Sequence, residues 1–269
     1  MPRNLFNKVA LKPLSALNLA ASNAALYTCR ENTGTEIADL FDAYADGTLG
    51  GTTAAPLTAS PGWASLNGTD SYYTLPGTLV PDFSAGSAWV FACRLFRATD
   101  ASAGETLFSF GDTSATSGEC GVEIQGTGGA NLRTRGKGSS TPTTGAFATF
   151  DMTTYNAAVN GCDIAFVLRD ASWPNATFDL YIEGAFVASL TRDFSANSGT
   201  KFTALSATYN LRIGARAAST ITSTLLGNGS SAKIANILVH SQAVYDATAV
   251  ANIIAEHHKF PGEKLRSLA

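Results

Sequence analysis

Charge is scarce in this chain. Asp, Glu, Lys and Arg make up 14% of 269 residues, against about 25% in ordinary globular proteins. Amphipathic surface helices need a charged outer face, so the shortage speaks against a helical protein. Long apolar runs are also missing, and no window of about 18 residues is continuously apolar, which excludes a transmembrane helix. There are three histidines, and only His240 lies outside the adjacent pair His257 and His258. That leaves no Ser-His-Asp elbow. The four cysteines, Cys29, Cys93, Cys120 and Cys162, form no C-x-x-C pair and match no common zinc spacing. Cys93 reads as a buried free thiol among Trp89, Phe91 and Leu95, and one disulfide among the four stays open. A signal peptide is not expected either. The apolar run from Pro13 to Ala21 is short, and Lys12 and Pro13 interrupt its start, so synthesis in a cytoplasm without secretion is predicted.

What is present is small and apolar. Gly numbers 25 and Phe 15, the hydrophobic fraction is 45% and the net charge −3, with Ser, Thr and Ala abundant. Such a chain folds rather than staying disordered, and it favours strands and turns. The charge is unevenly divided. Residues 1–30 carry Arg3, Lys8, Lys12 and Arg30 and no acidic residue. The +4 arm precedes a body of −7 (14 basic and 21 acidic residues). We read residues 1–30 as an extended basic arm suited to an acidic surface, and residues 31–269 as the folded body.

Along the body, Thr33 to Glu36 fits a capping box that leads into Ile37, Leu40, Phe41 and Tyr44 at helical spacing, which predicts a short helix stopped at Gly47. From Trp63 the period changes. Strands are predicted at 64–66, 72–75, 88–96, 105–110, 121–125, 131–135, 147–150, 162–169, 177–182, 185–190, 209–213 and 233–240. Phe178, Leu180 and Ile182 alternate with Thr177, Asp179 and Tyr181, and Glu183-Gly184 makes the two-residue turn of a hairpin. Ile164 to Leu168 is apolar on both faces, as at the centre of a two-sheet sandwich. A closing helix spans 246–260, with Asp246 as N-cap, Val250, Ile253 and Ile254 as its stripe, and Pro261-Gly262 as its stop. His257 and His258 diverge by about 100° on a helix, a poor pair for one metal ion.

The order of these pieces resembles a known family. Leu66-Asn67-Gly68-Thr69-Asp70-Ser71-Tyr72-Tyr73 resembles the fdG-x-x-d-Y segment of laminin-G-like, concanavalin A-like jelly rolls. Leu107 to Asp112 is similar to their l-f-s-x-G strand, Ile164 to Val167 to h-v-a-v, Leu180 to Gly184 to l-Y-v-D-G, and Leu211 to Gly214 to l-x-i-G. Lys233 to Val239 resembles the last strand, and Tyr245 to Ile254 the short helix after it. In the same comparison Leu40 to Leu49 resembles a D-x-S-G-n-g-n-d-G-t-l loop, which competes with the helix read there. The resemblance spans about residues 37–255. It implies an all-β, two-sheet antiparallel jelly-roll sandwich, with a ligand site at edge loops or on one face. Lectins, adhesins, glycosidases and virion proteins share that fold, so it does not choose among them.

Glycosidases of the family carry an E-x-D-x-E run, and none occurs here, since Glu123 stands alone and Glu183 occupies a turn. The resemblance implies no cofactor except calcium, for which Asp112 and Asp170 are the loop candidates. For a glycan or protein contact the candidates are Trp173, in the turn from Asp170 to Asn175, and Tyr72 or Tyr73. Arg133, Arg135 and Lys137 alternate on one strand face. They suit an acidic neighbour or a solvated edge strand guarded by charge. The acidic body and the lack of interleaved aromatics exclude a nucleic-acid surface.

The expectation is therefore a non-enzymatic structural or binding protein, with no membrane partner. A single lectin-like jelly roll with a short arm looks like a tailed-bacteriophage virion component. It would be a capsid decoration (cement) protein or a tail or fibre protein, homo-oligomeric and attached to capsid or tail proteins through Arg3, Lys8, Lys12 and Arg30. The alternative is a lectin for a surface glycan, and a glycoside hydrolase comes third.

Overall fold

Alternation with period two puts successive side chains on opposite faces of a strand, so a chain of short alternating segments closes as stacked sheets. The computed structural model describes residues 24–29, 35–39, 41–51, 64–79, 86–97, 105–112, 119–125, 131–137, 142–151, 161–172, 175–193, 209–216, 225 and 232–259. They form β1 (Ala24–Tyr27), β2 (Glu36–Ile37), β3 (Gly47–Gly50), β4 (Ala64–Leu66), β5 (Tyr72–Leu75), β6 (Ala88–Arg97), β7 (Glu105–Asp112) and β8 (Glu119–Gln125). Then come β9 (Asn131–Lys137), β10 (Pro142–Asp151), β11 (Cys162–Ser172), β12 (Asn175–Ile182), β13 (Ala185–Asp193), β14 (Tyr209–Ile213), β15 (Ala232–Gln242) and the helix α1 (Ala247–Lys259).

Two antiparallel sheets result. A seven-stranded sheet runs β1-β15-β6-β11-β12-β13, with β4 also on β15, and an eight-stranded sheet runs β10-β9-β8-β7-β14-β5-β3-β2. The expected two-sheet sandwich and closing helix are both present.

Between the sheets, Trp89 and Phe91 of β6 meet Phe108 and Phe110 of β7, with Phe91 and Phe108 ring centroids 4.2 Å apart and Trp89 and Phe110 5.3 Å apart. The Trp89 indole donates to the Leu79 carbonyl at 2.8 Å, so its one polar atom is satisfied inside the core. Cys29, Cys93 and Cys162 are buried free thiols, and only the backbone of Cys120 is described, in β8. Burial pushes the Cys93 and Cys162 thiols up, which keeps them protonated.

Four sequence expectations need correction. The helix over Ile37 to Tyr44 is absent, and that stretch is the β2–β3 hairpin. Its cause is Asp39, whose buried carboxylate accepts the backbone N–H groups of Leu26, Phe41, Ala43 and Tyr44 at 2.9 to 3.2 Å. A side chain that captures nearby N–H groups competes with the helix ladder and wins here. The arm also ends earlier than residue 30, because Ala24 to Tyr27 pair with His240 to Ile237 and are buried. Next, the basic row Arg133, Arg135 and Lys137 is not on an edge. Strand β9 lies between β8 and β10, with Arg133 opposite Glu123 and Lys137 opposite Glu119 in register. Finally, Ile164 to Leu168 is apolar on both faces for a reason the sandwich alone does not supply. The second face lies under α1.

That outer layer positions everything described next. Val250, Ile253 and Ile254 of α1 pack on Leu26, Ala88, Val90, Ala92, Ala165, Val167 and Leu238. Small side chains on the outer phase of β6 and β11 let a helix approach the sheet closely. Asp246 caps the helix, its Oδ1 accepting Thr248 N–H at 2.9 Å and Ala249 N–H at 3.0 Å. At the other end the buried His257 Nε2 donates to the Asn236 carbonyl at 2.6 Å. That carbonyl is free because Asn236, at φ +50°, lies in a bulge where β15 shifts register against β6.

Candidate functional site

Towards the two ends of α1 the outer phase of the seven-stranded sheet becomes polar. Beyond the start of the helix, the Arg169 guanidinium grips Asp179 through Nε–Oδ2 at 2.8 Å and Nη2–Oδ1 at 3.2 Å. The Ser189 hydroxyl donates to the same carboxylate. Arg169 also lies 5.2 Å from the Tyr245 ring centroid. The Asp179 hydrogen bond holds the guanidinium pKa above its ordinary value. Burial pushes the Tyr181 and Tyr245 phenols up. The strip therefore carries fixed donors and acceptors but almost no net charge.

Alongside, Thr177 and Thr191 share a hydroxyl hydrogen bond of 3.0 Å across β12 and β13. Phe186 stands edge-on to Tyr181 with centroids 5.5 Å apart. Phe186 is 57% exposed and Val244, next to Tyr245, 78% exposed, the two large hydrophobic side chains most open to solvent among the described residues. Phe186 stands on the outer face of the edge strand β13, a shelf beside α1, whereas Val244 lies in the loop that enters the helix.

The second cluster sits where α1 ends over the β12–β13 hairpin. Glu183 and Gly184 both adopt positive φ (49° and 78°), the two-residue turn that the strand twist favours. The turn is stitched to β11 by Glu183 N–H on the Asp163 carbonyl at 2.9 Å and Asp163 N–H on Glu183 Oε1 at 2.9 Å. His258 Nδ1 lies 2.7 Å from Asp163 Oδ2 and 3.4 Å from Glu183 Oε2. Arg94 Nη1 reaches the same Asp163 oxygen at 3.2 Å.

Most residues singled out in the sequence lie elsewhere. Arg3, Lys8, Lys12, Arg30 and Trp173 fall outside the described residues. Only the backbone is described for Arg133, Arg135, Lys137, Asp112 and Asp170. Asp112 ends β7 opposite Tyr209, and Asp170 lies opposite Ala176. Tyr73 is corrected as a ligand contact, because it points into the core and is fully buried. Tyr72 is half-buried under the Arg212 guanidinium, 5.2 Å from its ring centroid. Asn67, in the segment that carries the family resemblance, is a turn residue. Its Oδ1 accepts the N–H groups of Thr69, Asp70 and Ser71 at 2.9 to 3.1 Å.

Sequence reasoning missed Phe186 and Asp163. A signal existed for Phe186: alternation puts it opposite Tyr181, on the outward phase of the hairpin, where a large apolar ring is out of place. Asp163 was hidden in an apolar run, and its partner His258 is 95 residues away.

No family model matches the chain, and no curated protein does. Solved structures share its fold. The binding domain of botulinum neurotoxin serotype D superposes with a TM-score of 0.56 at 11% identity, over 88% of this chain and 51% of that one. A structure of botulinum neurotoxin type C, a toxin whose cell entry is dependent upon interaction with two ganglioside molecules, gives 0.54 at 12%, over 91% and 53%. Trypanosoma rangeli sialidase in complex with sialic acid gives 0.53 at 8%, over 94% and 39%. At such identities the likeness is one of fold alone. The chain spans about half the length of those toxin domains.

Proposed function

We propose that this chain is a non-catalytic binding module that takes a glycan on the shelf between α1 and β13. The observation that carries the reading is Phe186, more than half exposed and braced on Tyr181 beside a row of fixed polar groups. An exposed ring offers a flat apolar surface for the C–H face of a sugar. Further along the same strand, at about 10 and 16 Å, the Ser189 and Thr191 hydroxyls, bonded to Asp179 and Thr177, offer their remaining hydrogen-bonding capacity to further sugar units. The ganglioside dependence of one fold neighbour and the sialic acid bound to another support the ligand class. Trp173, which lies between β11 and β12 in the sequence and outside the described residues, is a second candidate contact in this reading. The test is a glycan array probed with the full chain. A glycan should bind and be lost in Phe186→Ala, while the far-ultraviolet circular dichroism spectrum stays unchanged. An array without hits, or binding indifferent to Phe186→Ala and Trp173→Ala, overturns it.

The second reading concerns what carries the module, and the charge split of +4 against −7 favours it. In this reading the basic arm, through Arg3, Lys8 and Lys12, fastens copies of the chain to a virion capsid or tail. Because β1 starts at Ala24, the deletion that tests it must stop at residue 22. That deletion should abolish incorporation into particles and leave the sandwich folded, and normal incorporation refutes the role of the arm.

A further inference from the structure

Two carboxylates converge on one ring nitrogen of His258. Asp163 Oδ2 and Glu183 Oε2 both face the same imidazole nitrogen, at 2.7 and 3.4 Å. A single Nδ1–H can point at only one of them. Arg94 compensates Asp163, at 3.2 Å, and does so from β6 rather than from between the two acids.

We infer that Asp163, Glu183 and His258 form a divalent transition-metal site of the Zn2+ class, a function separate from the glycan shelf. The three ligand atoms lie within 4.8 Å of one another. Bonds of about 2.1 Å at a tetrahedral angle put donor atoms about 3.4 Å apart, which the His258–Glu183 pair already matches, while the His258–Asp163 pair must open by about 0.7 Å. One imidazole with two carboxylate oxygens suits borderline metals and disfavours Ca2+, which wants six or more oxygens. Water completes the fourth position.

Binding requires the proton on Nδ1 to leave. Neutral His258 shifts to its Nε2–H tautomer through solvent, which its half-buried position allows. A protonated His258 would instead release one proton to solvent, and the metal takes the Nδ1 lone pair. The ligands come from β11, the β12–β13 turn and the end of α1, so the ion clamps the helix to the hairpin. The contact is already close: a Cβ built on Gly184 would lie 3.2 Å from the His258 Cβ. Arg94 opposes the ion by competing for Asp163.

The test uses the full chain, stripped with a chelator and titrated with Zn2+ in a calorimeter. One site per chain is expected, with saturating Zn2+ raising Tm by roughly 5 °C. Glu183→Gln and His258→Gln should each weaken binding by about tenfold or more. Glu256→Gln, whose carboxylate pairs with Lys259 on the solvent side at 2.9 Å, should leave it unchanged. Arg94→Gln should tighten it, an effect that a purely structural ion pair would not give. Cobalt substitution should show the intense visible bands of a tetrahedral centre. Absence of saturable binding at millimolar Zn2+, binding that survives both ligand variants, or tighter binding of Ca2+ overturns the assignment.

Discussion

The two faces of the seven-stranded sheet do different work with nearly the same backbone. Its inner phase carries Phe91, Phe166, Phe178 and Trp89, large side chains locked against a second sheet. Its outer phase carries Ala88, Ala92, Ala165 and Val167, small side chains that accept one helix, and turns polar past each end of it. A sheet facing a sheet is filled by rings. A sheet facing a cylinder is filled at its centre and left open at its margins, and both candidate sites lie in those margins. Both buried histidines, His240 and His257, also belong to the outer layer.

The largest effect should come from the inner face. Phe108 is fully buried and touches Trp89, Phe91 and Phe166. Phe108→Ala should cost about 3–5 kcal/mol in urea unfolding, because rings held between two sheets collapse poorly into a void. A cost below that of an outer-layer truncation would break the comparison.

Acid should act on the outer layer. Burial lowers the His240 pKa to about 4 and lowers that of His257 as well. For a base depressed in the folded state, the unfolded chain binds more protons below its own pKa of about 6.5. Stability is therefore complete above that pH and lost as pH falls toward 4, by about 3 kcal/mol for His240. Urea midpoints measured from pH 7 to 4 should show the decline, and His240→Phe should flatten it.

Truncation under the helix should be milder than on the inner face. Ile254→Ala should cost about 2 kcal/mol, near the lower end for such a change, since a helix on one face can settle toward the sheet. A loss equal to that of Phe108→Ala would mean that the helix is as rigidly seated as the second sheet.

The same contrast explains what was legible in the sequence. Each of the twelve strands read from alternation falls within a strand of the structure, because two-residue periodicity is local and rings mark the inner phase. The strands that were missed, β1 to β3, have four, two and four residues, too few to show a period. There the deciding force is the Asp39 carboxylate, which spans the loop and reaches back to Leu26. The double-sided apolar run of β11 was visible, but its cause, a helix some 80 positions later, was not. Pair order within a sheet is equally nonlocal, so the basic row of β9 looked like a guarded edge. For the sites, Glu183 and its turn were read correctly as local geometry, whereas the convergence of Asp163, Arg94 and His258 depends on three elements meeting.

The smallest expected effect tests how much of the outer layer depends on its helix forming at all. Asp246 is exposed, accepts two N–H groups of the first turn, and sits next to Tyr245, whose ring lies beside Arg169. Asp246→Ala should cost about 1 kcal/mol in the same urea titration, the ordinary worth of an N-cap. Asp246→Asn should restore most of it, since the amide oxygen still accepts those bonds and only the helix-dipole attraction is lost. If α1 were fixed wholly by Val250, Ile253 and Ile254, neither change would register. If the loss falls instead near that of Ile254→Ala, fraying at the cap must propagate through the helix to the His258 end. The outer layer would then behave as one cooperative unit, and the glycan shelf and the metal cluster would be coupled through it.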